Sequence, residues 1–224
     1  LLPEGNPAGL GDDPVSRLPV LETPRLLLRP FALSDARSVQ ALAGDAAIAD
    51  TTLRIPHPYE DGMAEEWIGT HERLFESGEQ ANFAITRKTN RELVGAIGLV
   101  IEGGADRAEL GYWVGKPGWG QGYCSEAGRA VLAFGFETLH LQRIHACFFP
   151  RNPASGRVLE KLGMIREGVL RRHVKKNGLY EDIVVCGILR EEWFKEPGTT
   201  SRRGEAARKA PSTEPCDEGR VGNL

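Results

Sequence analysis

Glycines are concentrated in one stretch of this 224-residue chain, directly before a segment with the composition of a helix. Residues 111 to 122 contain five glycines, of which Gly118, Gly120 and Gly122 are the last three. The first backbone N–H groups of a helix have no partner inside it, and missing side chains let a ligand come close to them. Because the positive end of the helix dipole lies at the same place, the stretch is suited to bind a phosphate or pyrophosphate.

The glycine pattern differs from two well-known phosphate-binding loops. It contains no G-x-x-x-x-G-K-[ST], the loop of many nucleotide hydrolases. It contains no G-x-G-x-x-G of dinucleotide-binding domains either, because Tyr123 and Ser125 stand where the third glycine would be. Glycine content alone therefore leaves two interpretations open, a phosphate site and a tight turn between a strand and a helix.

The segments around this stretch predict an α+β protein with a mixed sheet. Apolar, β-branched and aromatic residues form seven strand-like runs, at 25–31, 81–87, 92–102, 107–115, 143–149, 164–176 and 179–189. Helical patterns mark four further segments, at 34–44, 59–77, 123–138 and 154–163. Ser34 is expected to cap the first helix, and 59–77 to form one helix that ends at Gly78. The glycines thus join the fourth strand to the third helix.

Composition and charge exclude several classes of protein. The formal net charge is −3 and the sequence pI is near 6.0, so no overall attraction to nucleic acid or to an anionic membrane is expected. No run approaches the roughly 18 apolar residues of a membrane span, and the N-terminal residues lack the pattern of a secretory signal. The four cysteines form no Cys-x-x-Cys pair, so neither a metal site nor a disulfide framework is predicted. We expect a cytoplasmic protein with reduced thiols.

The two ends of the chain differ in composition from its middle. Residues 196–224 hold almost no large apolar side chains and are predicted to form a disordered tail, because they cannot bury enough surface to offset their ordering entropy. Residues 1–17, rich in Gly, Pro and Asp, are predicted to be a flexible segment. One folded domain is expected over residues 18–195.

Three motifs in this domain, in the expected order, resemble the GNAT family of N-acetyltransferases, and within it the RimJ/RimL-like branch. The family's acetyl-coenzyme A motif, Q/R-x-x-G-x-G/A, falls on Trp119, Gly120, Gln121, Gly122, Tyr123 and Cys124. Trp119 and Cys124 depart from the pattern, but the family's contacts at this loop are mostly made by the backbone. The preceding "GYWV" is similar to the family's fourth strand, and "NPASGRVLEKLGM" is similar to the branch's N-x-x-S-x-R-x-L-x-K-x-G-[FM].

The resemblance implies a fold, a cosubstrate and a set of contacts. The fold is a mostly antiparallel sheet of about seven strands flanked by helices, with a splayed fourth strand. Acetyl-CoA is the implied acyl donor, with its pyrophosphate on the loop from Gly118 to Ser125. The backbone of Tyr112, Trp113 and Val114 would pair with the pantetheine arm, and Asn152 would lie near it.

Two catalytic residues are predicted, an acid from the same resemblance and a base from its position on the fourth strand. The tyrosine that commonly protonates the departing thiolate is replaced by Leu159, and in the RimJ/RimL-like branch a serine at the position of Ser155 is thought to take its role. The alternative is that Ser155 only caps its helix. Glu109, on the strand beside the splay, is the candidate general base, and the alternative is a solvated strand glutamate. If Glu109 is not the base, Asp182 or His173 is the next candidate for that role.

Other residues have two interpretations each. Cys124, at a helix start, is either a reactive thiol or, as we favour, part of the lining of the site. His145 alternates with apolar residues and is assigned a structural role. The basic run from Arg171 to Lys176 is either a solvated face or a contact for the cofactor's 3′-phosphate or an acidic substrate.

The sequence thus predicts an enzyme that moves an acetyl group from acetyl-CoA to a primary amine. Because the branch acts on protein N-termini as well as small amines, a protein or peptide N-terminal α-amine is the favoured acceptor, bound in a ternary complex. A small-molecule amine acetyltransferase and a catalytically silent acyl-CoA-binding module are the alternatives. No direct nucleic-acid binding is expected, and the chain is expected to be a monomer or a homodimer.

Overall fold

The computed structural model of the protein describes residues 17–195. The strands of this part are β1 (Leu21–Glu22), β2 (Leu26–Arg29), β3 (Gln80–Arg87), β4 (Leu93–Glu102), β5 (Arg107–Val114), β6 (Arg143–Phe148), β7 (Ile165–Lys176) and β8 (Leu179–Leu189). The α-helices are α1 (Ala36–Ala43), α2 (Ala46–Thr51), α3 (Met63–Gly69), α4 (His71–Glu76), α5 (Tyr123–Ala133), α6 (Pro153–Lys161) and α7 (Arg190–Trp193). Short 3-10 turns lie at Leu33–Asp35 and Lys116–Gly118, and a π-helical turn at Phe134–Thr138 continues α5. The predictions for 1–17 and 196–224 fall, apart from Arg17, outside the described residues.

All of these strands form a single mixed sheet. Its order is β1-β2-β3-β4-β5-β6-β8-β7, and every neighbouring pair is antiparallel except β5 with β6. The predicted α+β architecture is confirmed, with eight strands in the described part in place of about seven. The additional strand is β1, whose two residues pair with Leu27 and Leu28. Two residues are too few to show an alternating pattern, so the sequence did not reveal this strand.

The predicted splay is present at β5, the fourth of the sequence-predicted strands. β5 pairs with β4 from Arg107 to Val114, but it pairs with β6 only from Arg107 to Glu109. Beyond Glu109 the two parallel strands separate, and no described strand lies against the far half of β5 on that side. The backbone there offers an unpaired edge beside an opening in the sheet.

Two apolar clusters cover the two faces of the sheet. The larger joins strand residues to α5 and α6, and its fully buried members include Phe83, Leu99, Val131 and Leu159. The smaller packs α1 and α3 against Ala84 and Leu93. A fully buried Leu, Val or Phe contributes about 1.5–3 kcal/mol relative to exposure, so the two clusters hold the helices on opposite sides of β5.

Two predictions about helices were wrong. Ser34 does not cap α1, because it lies inside the 3-10 turn Leu33–Asp35 that leads directly into α1. The Asp35 carboxylate at the end of this turn accepts from the Ala32 N–H at 2.9 Å and pairs with Arg29 at 2.7 Å. The segment 59–77 is two helices, α3 and α4, which separate at Thr70. The Thr70 hydroxyl donates to the Trp67 carbonyl at 2.7 Å and so competes with the regular helical hydrogen bonds.

No helix among residues 17–195 is long and apolar enough to cross a membrane. The cytoplasmic location expected from the sequence stays a prediction.

Candidate active site

The glycine-rich loop presents a row of free backbone donors. Helix α5 begins at Tyr123, and Gly120 and Gly122 before it have φ angles of +71° and +77°, in the left-handed region that favours glycine. Within residues 17–195, nothing accepts a hydrogen bond from the backbone N–H groups of residues 120 to 125. These groups converge at the positive end of the α5 dipole, which is an arrangement that binds anions.

Side chains of the loop hold its shape. The indole N–H of Trp119 donates to the Val114 carbonyl at 2.6 Å, and the Gln121 amide donates to the Pro117 carbonyl at 2.7 Å. Trp119, which departs from the family motif, therefore ties the loop to the end of β5.

A charge cluster that sequence analysis missed supports the start of α5. The Arg25 guanidinium lies 5.0 Å from the ring centre of Tyr123 and pairs with Glu126 at 2.6 Å. Burial would raise the pKa of Glu126, but hydrogen bonds from Thr23 and Arg25 outweigh it and hold that pKa below its usual value. These partners are about a hundred residues apart in the chain, so no local pattern could have revealed them.

The unpaired edge of β5 is built from alternate residues. The N–H of Gly115 donates to the Val94 carbonyl at 2.9 Å, so its backbone faces β4. Because neighbouring residues of a strand point their backbone groups to opposite sides, Val114 and Tyr112 face the opening and Trp113 faces β4. A pantetheine arm lying along the opening would meet Tyr112 and Val114, and the Val114 carbonyl is already shared with Trp119.

Helix α6 begins beside the same opening. Asn152 is its cap, since the side-chain oxygen of Asn152 accepts from the Ser155 N–H at 3.2 Å. The alternative that Ser155 caps this helix is therefore wrong. The Ser155 hydroxyl instead lies 2.8 Å from the hydroxyl of Tyr112, which is also 3.2 Å from the Ser155 carbonyl.

The Tyr112 hydroxyl was not predicted as part of the site. The sequence predicted a role only for the Tyr112 backbone, as a partner of the pantetheine arm. The Tyr112 side chain crosses the opening and reaches Ser155 of α6. Burial raises the pKa of Tyr112 well above its usual value, so the phenol stays protonated at physiological pH.

Glu109 lies on the other face of the sheet from Ser155. Trp113 packs with the α1 and α3 cluster, while Leu110, Tyr112 and Val114 pack with the cluster of α5 and α6. By strand alternation, Glu109 shares the face of Trp113. Its half-exposed carboxylate pairs with Arg54 at 3.1 Å, an ion pair that sequence analysis did not predict.

Two further candidates from the sequence, Cys124 and Asp182, have environments that differ from those of Glu109 and Ser155. Burial raises the pKa of the Cys124 thiol to about 12, which favours a lining residue over a nucleophile. Asp182 accepts from the backbone N–H of Arg172 at 2.8 Å and so is engaged in the β7–β8 hairpin.

Charged residues hold the segment after α2 in place. Arg151, next to Asn152, pairs with Asp50 at 2.6 Å and with Glu181 of β8 at 2.7 Å. The Lys176 ammonium donates to the Ile55 carbonyl at 3.2 Å. Asp50 and Lys176 therefore make contacts within the protein, which tie α2 and the segment after it to the chain before α6 and to β7.

Comparison with known proteins agrees with this geometry. Residues 25–165 match the model of the family described as Acetyltransferase (GNAT) domain. An uncharacterized N-acetyltransferase of Bacillus subtilis, YoaA, is 34% identical over 174 residues, which cover 77% of this chain and 97% of that protein. The [Ribosomal protein uS5]-alanine N-acetyltransferase of Escherichia coli is 27% identical over 139 residues, which cover 61% of this chain and 71% of that protein.

A solved structure shows the same fold. The RimJ protein of Mycobacterium smegmatis, in complex with CoA-disulfide, superposes with a TM-score of 0.72 at 22% identity, over 80% of this chain and 91% of that one. The family match, the splayed strand and the free amides before α5 agree with one another. The chain therefore belongs to the GNAT family of acetyltransferases and is an N-acyltransferase that uses acetyl-CoA as its donor.

Proposed function

We propose that this enzyme acetylates the N-terminal α-amine of a protein or peptide by direct transfer within a complex that holds both substrates. The observation that carries the proposal is the opening between β5 and β6, which has Glu109 on one face of the sheet and Ser155 on the other. An acyl donor lying in this opening would meet a carboxylate from one side and a hydroxyl from the other.

The free backbone groups support a position for the donor. The pyrophosphate of acetyl-CoA is assigned to the N–H groups of residues 120 to 125, and the pantetheine arm to the backbone of Tyr112 and Val114. Asn152 holds the first turn of α6 in place through its cap. These contacts lead the thioester toward the end of the paired region of β5 and β6, where Glu109 lies.

The chemistry requires two proton movements. The amine nitrogen attacks the acetyl carbon, and Glu109 accepts the proton that the nitrogen loses. The bond from carbon to sulfur then breaks, and the sulfur leaves with the electron pair and takes a proton from Ser155. Exchange with solvent returns the proton of Glu109 to Ser155, so both groups are restored. The raised pKa of Cys124 supports direct transfer over an acetylated thiol.

Among the candidate acceptors, an α-amine needs less deprotonation by the site than a lysine does. Its pKa is about 8 against about 10.4 for a lysine, so a larger fraction is already neutral near pH 7. The name of the Escherichia coli relative points to the N-acetylation of a ribosomal protein. An incoming amine would take the place of Arg54 at the Glu109 carboxylate.

The test compares acceptors at saturating acetyl-CoA, with released thiol as the readout. The panel contains short peptides with free N-termini, the same peptides blocked at the N-terminus but carrying a lysine, and a set of small amines. We expect the highest kcat/KM for a free N-terminus. A small amine that exceeds every such peptide by ~100-fold, equal to ~2.7 kcal/mol of transition-state preference, would contradict the acceptor assignment. Binding of acetyl-CoA without thiol release for any amine would indicate a silent binding module.

A further inference from the structure

The hydroxyls of Tyr112 and Ser155 form a contact across the opening in the sheet. β5 and the chain leading from β6 to α6 have separated here, and the two hydroxyl oxygens lie 2.8 Å apart between them. The residues are 43 positions apart in the chain, so tertiary structure alone brings them together.

The single phenol proton of Tyr112 has two acceptors within reach, the Ser155 hydroxyl oxygen at 2.8 Å and the Ser155 carbonyl oxygen at 3.2 Å, and the chemistry of the site favours the nearer one. A phenol has one proton, and burial raises the pKa of Tyr112, so that proton stays on the ring oxygen. If the serine proton pointed at Tyr112, it would not be available to a departing sulfur. When Tyr112 is the donor and the Ser155 oxygen accepts, the serine proton is free to point into the opening.

We propose that Tyr112 is a positioning residue, which donates a hydrogen bond to Ser155 and thereby orients the serine proton toward the thioester sulfur. This inference rests on the proposed function, in which Ser155 is the acid. As Ser155 gives its proton to the sulfur, negative charge grows on the serine oxygen, and the hydrogen bond from Tyr112 stabilises it. No proton leaves Tyr112, and no bond of its own breaks.

Tyr112 carries a hydroxyl although its ring packs against the apolar core. It is partly buried against the larger apolar cluster, between Leu110 and Val114, where phenylalanine would fill the same volume. A phenol removed from water without a partner would lose hydrogen bonds that nothing replaces, and the contact with Ser155 supplies that partner.

A double-mutant cycle tests the pair. Tyr112→Phe is expected to lower kcat by about 10-fold, to leave the KM for acetyl-CoA unchanged, and to add less than about 2-fold when Ser155 is already alanine. The control is Thr86→Val, which removes another buried hydroxyl hydrogen bond, at 2.8 Å to the Leu27 carbonyl, away from the site. Thr86→Val should reduce the melting temperature and leave kcat unchanged. The proposal would be overturned by a normal kcat of the Tyr112→Phe enzyme. It would also be overturned if the fold-losses in kcat from Tyr112→Phe and Ser155→Ala multiplied in the double variant.

A binding measurement separates this inference from the proposed function. Calorimetry at pH 9 compares the affinity for CoA with that for desulfo-CoA, in which hydrogen replaces the thiol. Because only binding is measured, turnover is not needed. Wild-type protein should prefer CoA by about 5-fold or more, and Tyr112→Phe should reduce this preference to within about 2-fold. An unchanged preference in the variant would count against Tyr112. If wild-type protein binds neither compound, the proposed cofactor site itself is wrong.

Discussion

The loop before α5 gives the sharpest test of the cofactor site, through the substitution Gly122→Val. Gly122 has φ of +77°, a conformation that costs an ordinary residue about 1–2 kcal/mol and a β-branched one more. A Cβ at this position would lie 3.6 Å from the Arg25 guanidinium, so the protein itself leaves room for it. The new side chain would project where a phosphate approaches the free amides.

Two effects of different size are expected from this substitution. The strain should lower the melting temperature by a few degrees, about 2–4 °C for each kcal/mol in a domain of this size. Loss of charge-assisted hydrogen bonds and steric exclusion should weaken acetyl-CoA binding by at least ~2 kcal/mol, about 30-fold.

Gly62→Val is the matched control for this experiment. Gly62 stands before α3 as Gly122 stands before α5, has φ of +89°, and a Cβ added to it would meet no atom within 4 Å. Calorimetry should therefore find a similar loss of stability in both variants and a loss of acetyl-CoA affinity in Gly122→Val alone. Unchanged affinity in a folded Gly122→Val protein, or equal losses in both, would show that the pyrophosphate binds elsewhere.

Three further substitutions test the base, the α6 cap and a buried histidine. Glu109→Gln should lower kcat/KM by at least ~10-fold with acetyl-CoA affinity unchanged; a smaller loss together with an unaltered pH profile would place the base elsewhere. Asn152→Ala should cost about 1 kcal/mol in denaturant unfolding and Asn152→Asp almost nothing, whereas equal stability of all three proteins would contradict the capping role. Burial lowers the pKa of His71 to about 4, below its unfolded value near 6.5, so stability present above pH 6.5 should be lost as the pH falls toward 4. Melting curves of His71→Leu should show a weaker dependence over this range, and an identical dependence would exclude His71 as a cause.

Features that depend on neighbouring residues were predictable from the sequence. Alternation of apolar residues located the long strands, and the glycines located the start of α5, because side-chain direction and backbone freedom are local properties. The resemblance over the same segments led to the correct family. The motif from Asn152 to Met164 was recognised from residue types and spacing alone. Its helical pattern placed Ser155 in the first turn of a helix.

Contacts between side chains that are distant in the chain could be known only from the fold. Ser34 was predicted to cap α1 but lies in the 3-10 turn before it, and the neighbouring Asp35 carboxylate is held by Arg29 and by the Ala32 N–H. Pairing of Glu109 with Arg54 joins residues 55 positions apart. Such contacts depend on where the strands separate and how the helices pack. Neither property can be predicted from a short segment of sequence. The partner of the Ser155 hydroxyl was set in the same way, by the divergence of β5 from β6 that brings Tyr112 to α6.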